Sequence, residues 1–274
     1  ALYLFIIVEL RLAEPLVPLH IFRDPLIAGA NTVTLFLYFA LNGVIFFLVL
    51  NFQQVQGYSP VQAGLGLLPP IILITFFAGP AGMLADRIGP RPQMISGPLL
   101  VAAGMALLTL SGPDASYFRD YLPGLVLFGV GMALVIAPLT KSALSVESRF
   151  SGAASGINNA ISRTAGLLAV ALLGAIVISS FTAHLQDTVS ASGLTPQEQR
   201  QVLSQSDRPG AVVIPPEFDE TARAFTEQVV KDFIYGFRWA MSVSAFLALA
   251  GVLVSFFAIH GATRRHTSDN GPGG

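Results

Sequence analysis

The most informative polar pattern lies between two apolar segments, in the run Gly82-Met83-Leu84-Ala85-Asp86-Arg87-Ile88-Gly89-Pro90-Arg91. Asp86 could pair with Arg87 or Arg91, or face the N-terminus of a neighbouring helix. Gly82 allows two helices to approach closely, and Gly89 permits a tight reversal of the chain. A charge network of this kind can hold one helix bundle against another at a membrane boundary. The alternative is a simple basic turn on the cytoplasmic side of a membrane.

A second polar pattern lies inside an otherwise apolar segment and consists of Asn31, Thr34, Tyr38 and Asn42. On a helix these four side chains fall within roughly 80° of one another. Polar groups are costly against lipid, so this face should contact protein or water. Two functions fit the pattern. The residues either line a substrate cavity, or form hydrogen bonds between neighbouring helices.

Small residues recur every fourth position in later segments, at Gly129, Ala133 and Ala137, followed by Pro138, and at Gly152 and Gly156. Such rows let helices pack closely, and a proline can kink a helix or serve as a hinge. Arg163 is the one charge near the fifth apolar segment. It either reaches the cytoplasmic interface with its long side chain or contributes to a cytoplasmic gate.

Residues that could support other chemistry are scattered. The chain has no cysteine, and its histidines, at positions 20, 184, 260 and 266, show no metal-ligand spacing. A membrane-embedded enzyme would need His, Asp, Glu, Ser or Cys clustered in its apolar segments. We therefore expect no catalytic residues, no cofactor and no metal site.

The composition identifies the solvent in which these residues must be positioned. Of 274 residues, 53% are hydrophobic and 11% are charged, whereas soluble domains carry about 25% charged residues. The 15 Lys and Arg are balanced by 16 Asp and Glu, so there is no basic excess with which to bind nucleic acid. These values argue against a soluble enzyme, a disordered chain and a nucleic-acid-binding protein, and favour a membrane protein surrounded by lipid.

The apolar segments predict an all-α membrane protein with six transmembrane helices. A span needs roughly 20 apolar residues, and the sequence holds no charge from Pro25 to Ala85. The short alternating segments of a membrane β-barrel do not occur. The predicted spans are 26–50, 62–85, 93–112, 121–141, 160–181 and 238–260. Residues 1–8 are interpreted as the end of a preceding truncated helix, 9–25 as a cytoplasmic linker, and 261–274 as a cytoplasmic tail.

Basic residues orient these spans, because cytoplasmic loops are enriched in Lys and Arg. Segments on the side of the N-terminus carry Arg11, Arg23, Arg87, Arg91, Lys141, Arg149, Arg163, Arg264 and Arg265. The two short loops on the other side carry only Arg119. Both termini are therefore predicted to be cytoplasmic.

The remaining loop, 182–237, is predicted to be extracellular. Thr195-Pro196-Gln197-Glu198 is typical of a helix start with a capping box. An amphipathic helix is predicted from the helical spacing of Phe218, Ala222, Phe225, Val229, Phe233 and Phe237. Such a helix either packs as a lid on the outer face or acts as an extracellular gate or docking helix.

The run at 82–91 resembles the G-x-L-x-D-R-x-G-R-R/K signature of the major facilitator superfamily. Gly82, Leu84, Asp86, Arg87, Gly89 and Arg91 match it, and Pro90 replaces the first of the paired basic residues. Residues 15–23 and 53–64 look like the start of the C-terminal half in the fourteen-helix drug:proton antiporter branch. Residues 151–166 are similar to that branch's penultimate helix.

The resemblance implies half of a major facilitator fold, built as two inverted three-helix repeats. It implies a partner half of six further helices and a central cavity lined by the first helix of each half. It also implies a small-molecule substrate, with the protein integral to the cell membrane and in contact with its lipid. No Asp or Glu lies within a predicted span, so a proton-coupling carboxylate should belong to the N-terminal half.

Proton-coupled efflux of amphipathic drug-like compounds, by alternating access, is the function that this resemblance predicts. The same fold could instead export a physiological lipid, siderophore or metabolite. More remote alternatives are a membrane-embedded enzyme and an inactive fragment.

Overall fold

The computed structural model describes residues 19–191, 195–206 and 219–269, and this part of the chain consists of helices joined by turns. The predicted stub at 1–8, the first part of the linker and the last five residues of the tail lie outside the described residues. The helices are α1 (Pro25–Gln54), α2 (Pro60–Gly66), α3 (Leu68–Ile88), α4 (Arg91–Leu108), α5 (Leu122–Ala143), α6 (Ser151–Ala191), α7 (Pro196–Leu203) and α8 (Asp219–Asp269). Short turns connect most of them, so successive long helices run in opposite directions.

Five helical segments of the described chain are long and apolar enough to cross a membrane. The first is α1, and the second is α2 continued by α3. The third is the segment Tyr117–Ala143, which contains α5. The fourth is α6, and the fifth is Glu227–Ala258 within α8. The third predicted span corresponds to α4, which is not among them. This helix has 18 residues and begins with the polar sequence Arg-Pro-Gln. It nevertheless packs along both α5 and α8, as expected of a helix inside the same bundle.

Helix ends follow the local sequence. Asp24 caps α1 by accepting a hydrogen bond from the Leu26 backbone N–H at 2.8 Å, and Pro25 occupies the first helical position. At the other side of the bundle, Ser59 and Gln62 form a capping box that starts α2. Gly57 lies in the turn between α1 and α2 and has a φ of 67°, a conformation that favours glycine.

The break between α2 and α3 has a proline as its cause. Pro70 has no N–H, so it cannot bond the Gly66 carbonyl one helical turn earlier. That carbonyl instead accepts a hydrogen bond from the Tyr117 hydroxyl at 2.8 Å. Tyr117 begins a π-helical turn, Tyr117–Tyr121, that leads into α5. The tyrosine therefore satisfies a backbone group that the proline leaves without a helical partner.

Helix α1 is central to the bundle and contacts α5, α6 and α8, while α4 lies between α5 and α8. Where α4 meets α5 the backbones are very close. A Cβ at Gly104 would lie 2.6 Å from the Gly124 carbonyl oxygen, and one at Gly131 would lie 2.6 Å from the Gly97 oxygen. Helices α3 and α6 lie at the outside. Only 17% of the most apolar α2–α3 window and 28% of that in α6 are buried, against 50% in α1.

The segment predicted as an extracellular loop, 182–237, is largely helical where it is described. Helix α6 continues to Ala191, and α8 begins at Asp219. Val229, Phe233 and Phe237 are buried at helical spacing, as predicted, whereas the side chains of Phe218, Ala222 and Phe225 lie outside the described residues. The predicted helix start at Thr195 is confirmed, because Thr195 and Glu198 form a capping box for α7.

Candidate functional site

The turn between α3 and α4 brings together charges from two helices. The carboxylate of Asp86 forms an ion pair with the ammonium of Lys141 near the end of α5. The partner is therefore none of those predicted, Arg87, Arg91 or a helix N-terminus, because the fold brings the end of a distant helix beside this carboxylate. The side chain of Asp86 is 59% exposed and that of Lys141 is 73% exposed. The pair is therefore well solvated, and we expect it to be weak in energy.

Glycines of this turn have the positions that the sequence predicted for them. Gly89 ends α3 with a φ of 83°, and α4 begins two residues later. A Cβ at Gly82 would lie 3.2 Å from the Cβ of Ala137, so α3 and α5 approach closely here. Leu84 and Arg87 are exposed. Arg91 is half-buried, with its guanidinium carbon 6.0 Å from the centre of the Phe256 ring.

A cavity of about 340 Å³ lies beside the ion pair. It is enclosed by the start of α1, the end of α3 with the following turn, and the end of α5, and is lined by Leu26, Ala85, Asp86, Gly89, Pro90, Pro138, Lys141, Ser142 and Ser145. Relative movement of the α3 and α5 ends would change the distance between the two charges. The pair is thus placed to respond to the packing of α3 against α5.

The first two residues of the α1 polar stripe form a hydrogen-bonded contact with α6. The Asn158 amide nitrogen donates to the Asn31 Oδ1 at 3.1 Å and to the Thr34 Oγ1 at 3.2 Å. Asn31 and Thr34 are 4% and 1% exposed. Their own donors bond backbone carbonyls one turn earlier in α1. Asn158 is therefore the side chain that joins the two helices through this stripe.

A larger cavity, of about 470 Å³, opens between α1 and α6 next to this contact. Its polar lining comes from Asn31, Thr32 and Thr164, and its remaining lining is apolar. Asn31 thus both contacts α6 and faces a cavity, so the two alternatives for the stripe are not exclusive at this residue. An apolar space with a few polar groups can accommodate an amphipathic molecule.

Tyr38 and Asn42 continue the stripe toward the other side of the membrane and are half-buried. The Asn42 amide nitrogen donates to the Tyr38 backbone oxygen at 2.7 Å. A Cβ at Gly166 of α6 would lie 3.0 Å from this amide. The amide of Asn42 therefore packs directly on the α6 backbone, and a side chain at position 166 would displace it.

The small-residue rows differ in their surroundings. A Cβ at Gly129 would lie 2.7 Å from the Cα of Pro70, and Ala133 is 1% exposed. The row at 129–137 therefore packs α5 against α3, with Pro138 inside the last turns of α5. By contrast, a Cβ at Gly152 or Gly156 would meet no described atom within 4 Å.

Arg163 also lies on the open side of α6. It is exposed, and its Nε is 3.4 Å from the Oδ1 of Asn159, one turn earlier on the same helix. The exposed surface near the start of α6 therefore carries small and polar residues, including Gly152, Gly156 and Arg163. Such a surface is unsuited to lipid, so it should face water or another protein segment.

Sequence reasoning missed two residues of this region as functional partners. The sequence predicts Lys141 only as a basic residue of a cytoplasmic segment, and Asn158 only as part of the stretch 151–166 that resembles the family. For Asn158 a signal existed, because the polar side chain sits seven residues into α6, matching the depth of Asn31 in the parallel helix α1. For Lys141 the sequence gives the charge but not the contact.

Comparison with known proteins decides the family. The family model described as Major Facilitator Superfamily matches residues 9–190, which is more than half of the chain. The chain belongs to the major facilitator superfamily. It is accordingly an integral membrane protein.

Curated relatives within the major facilitator superfamily have names that refer to export and resistance. The chain is 28% identical to the tetracenomycin C resistance and export protein of Streptomyces glaucescens, over 92% of this chain and 48% of the relative. It is 31% identical to the multidrug resistance protein Stp of Mycobacterium tuberculosis, over 93% of this chain and 48% of that protein. It is 33% identical to the cephamycin export protein CmcT of Amycolatopsis lactamdurans, over 63% and 36%. The chain spans about half the length of the first two relatives.

Proposed function

We propose that this chain is the C-terminal half of a secondary active transporter that exports amphipathic drug-like compounds in exchange for protons. The observation that carries this proposal is the family match over residues 9–190, together with relatives named for drug and antibiotic export. Transport would proceed by alternating access, with both termini of this half in the cytoplasm. The protein would reside in the cell membrane and contact its lipid.

The substrate would contact the α1 stripe and the adjacent part of α6. The 470 Å³ cavity supports this placement because its wall combines apolar side chains with the polar groups of Asn31, Thr32 and Thr164. An uncharged wall of this kind suits an amphipathic molecule, whose apolar part is buried while a few polar groups fix its orientation. Tyr38 and Asn42 would extend the same surface deeper into the membrane.

The N-terminal half would cover the outer faces of α3 and α6. The support is the low burial of both helices within this chain, together with the small and polar surface at the start of α6. In this arrangement Gly152 and Gly156 would let a helix of the other half approach closely. Arg163 would lie at the cytoplasmic end of that contact, where it could gate access.

The Asp86–Lys141 ion pair at the cytoplasmic turn would stabilise one of the two states of the alternating-access cycle. The Asp86–Lys141 ion pair joins the ends of α3 and α5, beside a cavity that α1 also lines. Rocking of one half against the other would strain this contact in one state and relieve it in the other. Because the pair is solvated, it would bias the two states by a small amount and so permit rapid exchange.

Substrate-coupled protons would be carried by a carboxylate of the N-terminal half, since the predicted spans of this chain contain no Asp or Glu and the buried Asp232 precedes the sixth predicted span, 238–260. The resemblance to drug:proton antiporters supports this division. Substrate would then be bound mainly by uncharged groups on this side of the cavity. Proton binding in the other half would set the state of the whole transporter.

Efflux of a fluorescent amphipathic cation from cells that express the full-length protein tests the proposal. Ala160 is exposed and lines the 470 Å³ cavity, so Ala160→Trp should slow efflux by filling the space. Ala183→Trp is the matched control, because Ala183 is exposed on the same helix outside this cavity. Absence of efflux across a broad panel of dyes and drugs would reject drug export.

A physiological substrate is the second candidate. The names of the tetracenomycin C and cephamycin export proteins support it, because both relatives are named for exporting a natural product. Profiling small molecules retained by cells that lack the protein separates the two candidates. Accumulation of one metabolite, with no change in drug sensitivity, would favour the second.

A further inference from the structure

A buried carboxylate lies where α6 and α8 extend beyond their most apolar stretches, on the side opposite the Asp86 turn. Asp232 of α8 is 2% exposed. Its Oδ2 accepts a hydrogen bond from the Thr188 hydroxyl of α6 at 3.1 Å, and its Oδ1 accepts one from the Gln228 amide nitrogen at 3.1 Å. Asp232 therefore links the two helices through neutral partners, and the proposed transport function assigns it no role.

The surroundings of Asp232 contain no basic side chain close enough for an ion pair within the described part of the chain. The titratable groups of α6 that face it are His184 and Asp187. His184 donates from Nδ1 to the Ser180 backbone oxygen at 2.8 Å, because a carbonyl can only accept, and its ring centre lies 4.4 Å from that of Tyr235. On α8 itself, Lys231 and Glu227 are exposed.

Apolar side chains close the contact on either side of Asp232. Leu185 and Val189 of α6 and Val229 and Phe233 of α8 are each at most 4% exposed. Burial in such surroundings disfavours a charged carboxylate, and two neutral hydrogen bonds offset only part of that loss. A neutral acid suits the site better, since the Thr188 oxygen can accept a hydrogen bond from its O–H.

We propose that Asp232 is a proton-binding site that controls the contact between the α6 and α8 ends. With a proton bound, the carboxyl group stays buried and the two helix ends remain packed. Without the proton, the ends separate far enough for water to hydrate the carboxylate. The packed form therefore predominates at lower pH and is lost as the pH rises. This inference does not rest on drug export or on proton coupling.

Distance measurements between spin labels test the proposal in the full-length protein, reconstituted in lipid nanodiscs. This chain has no cysteine, so after replacement of every cysteine in the other half, labels are placed at Ser190→Cys on α6 and Glu227→Cys on α8, both exposed. We expect one short distance at about pH 5 and a growing longer population toward about pH 8. A distance distribution that does not change over this range would overturn the proposal.

Three variants assign the titrating group. Asp232→Asn keeps the size and removes the charge, so it should hold the short distance at every pH. Asp114→Asn is the matched control, because Asp114 is exposed in a loop of the same side, and it should titrate like the parent. His184→Gln should also retain the transition. Loss of the transition in His184→Gln, with retention in Asp232→Asn, would refute the assignment to Asp232.

A further variant and a second measurement cover the case in which Asp232→Asn does not fold. Thr188→Val removes a hydrogen bond to the charged form and should move the midpoint down by about one pH unit, because the packed form is then lost earlier. Infrared difference spectra should show the carbonyl band of a protonated acid at low pH in the parent protein. An unchanged midpoint in Thr188→Val, with no such band, would contradict the proposal.

Discussion

The Asn158 contact between α1 and α6 gives a quantitative prediction. Replacing Asn158 by Ala removes its two hydrogen bonds, to Asn31 and Thr34. Hydrogen bonds between membrane helices contribute about 0.6 kcal/mol each on average, so the two contribute about 1.2 kcal/mol. Asn31 also loses the partner of its Oδ1 while 4% exposed, which raises the expected loss to about 2 kcal/mol.

Its neighbour Asn159 provides the matched control. It carries the same side chain on the same helix, is exposed, and contacts Arg163 at 3.4 Å. Asn159→Ala should therefore change the free energy of unfolding by less than about 0.5 kcal/mol. Reversible unfolding of the purified full-length protein in mixed micelles measures both variants. The double variant with Asn31→Ala should cost less than the sum of the single variants, since the two residues share one contact.

Equal stability of the Asn158→Ala and Asn159→Ala variants would refute this reasoning. Such a result would mean that water or lipid replaces the lost partner of Asn31 at no cost. Additive effects of Asn158→Ala and Asn31→Ala would refute it as well, because additivity indicates independent sites.

Three further predictions concern the packing of α5 on α3, the Asp86–Lys141 ion pair and the N-terminal cap of α7. Gly129→Ala should destabilise the protein by about 1–3 kcal/mol, because the added Cβ would lie 2.7 Å from the Cα of Pro70 in α3. Gly152→Ala is the control, since its Cβ would meet no described atom within 4 Å, and it should be neutral or stabilising. Thermal unfolding measures both variants. Asp86→Lys should slow transport, and adding Lys141→Asp should restore it, with changes in the free energy of unfolding below about 1 kcal/mol. If the double variant does not restore transport, the ion pair does not control alternating access. The pKa of Glu198 is lowered by hydrogen bonds from the helix-capping threonine, so the α7 cap is lost as pH falls through that lowered pKa. Hydrogen-exchange protection of α7 should fall in acid for the parent and stay flat in Glu198→Gln.

Element type and approximate position were predictable from the sequence because lipid imposes long apolar helices. The α7 start at Thr195–Glu198 and the reversal at Gly89 were also predictable, since each depends on local geometry. The lengths of the helices were less predictable from the sequence. The fifth predicted span, 160–181, lies within a helix of 41 residues, whose last turns pack against α8 through Leu185 and Val189.

Contacts between distant helices could not be predicted from the sequence. The ion pair of Asp86 depends on where α5 ends relative to α3. The Asn158 contact depends on the relative depth of α1 and α6, which are separated along the chain by α2 to α5. Asp232 falls within the predicted extracellular loop 182–237, where an acidic residue is common. Its burial arises only because α8 begins early and packs its apolar face on the end of α6.

Transport by the full-length protein in sealed proteoliposomes tests the central claim most directly. The vesicles would contain a pH-sensitive dye, and an amphipathic cation would be supplied with an imposed proton gradient. The account predicts substrate movement against its own gradient, accompanied by proton movement in the opposite direction, and loss of both when an ionophore collapses the proton gradient. Substrate movement at the same rate with and without the proton gradient would contradict it.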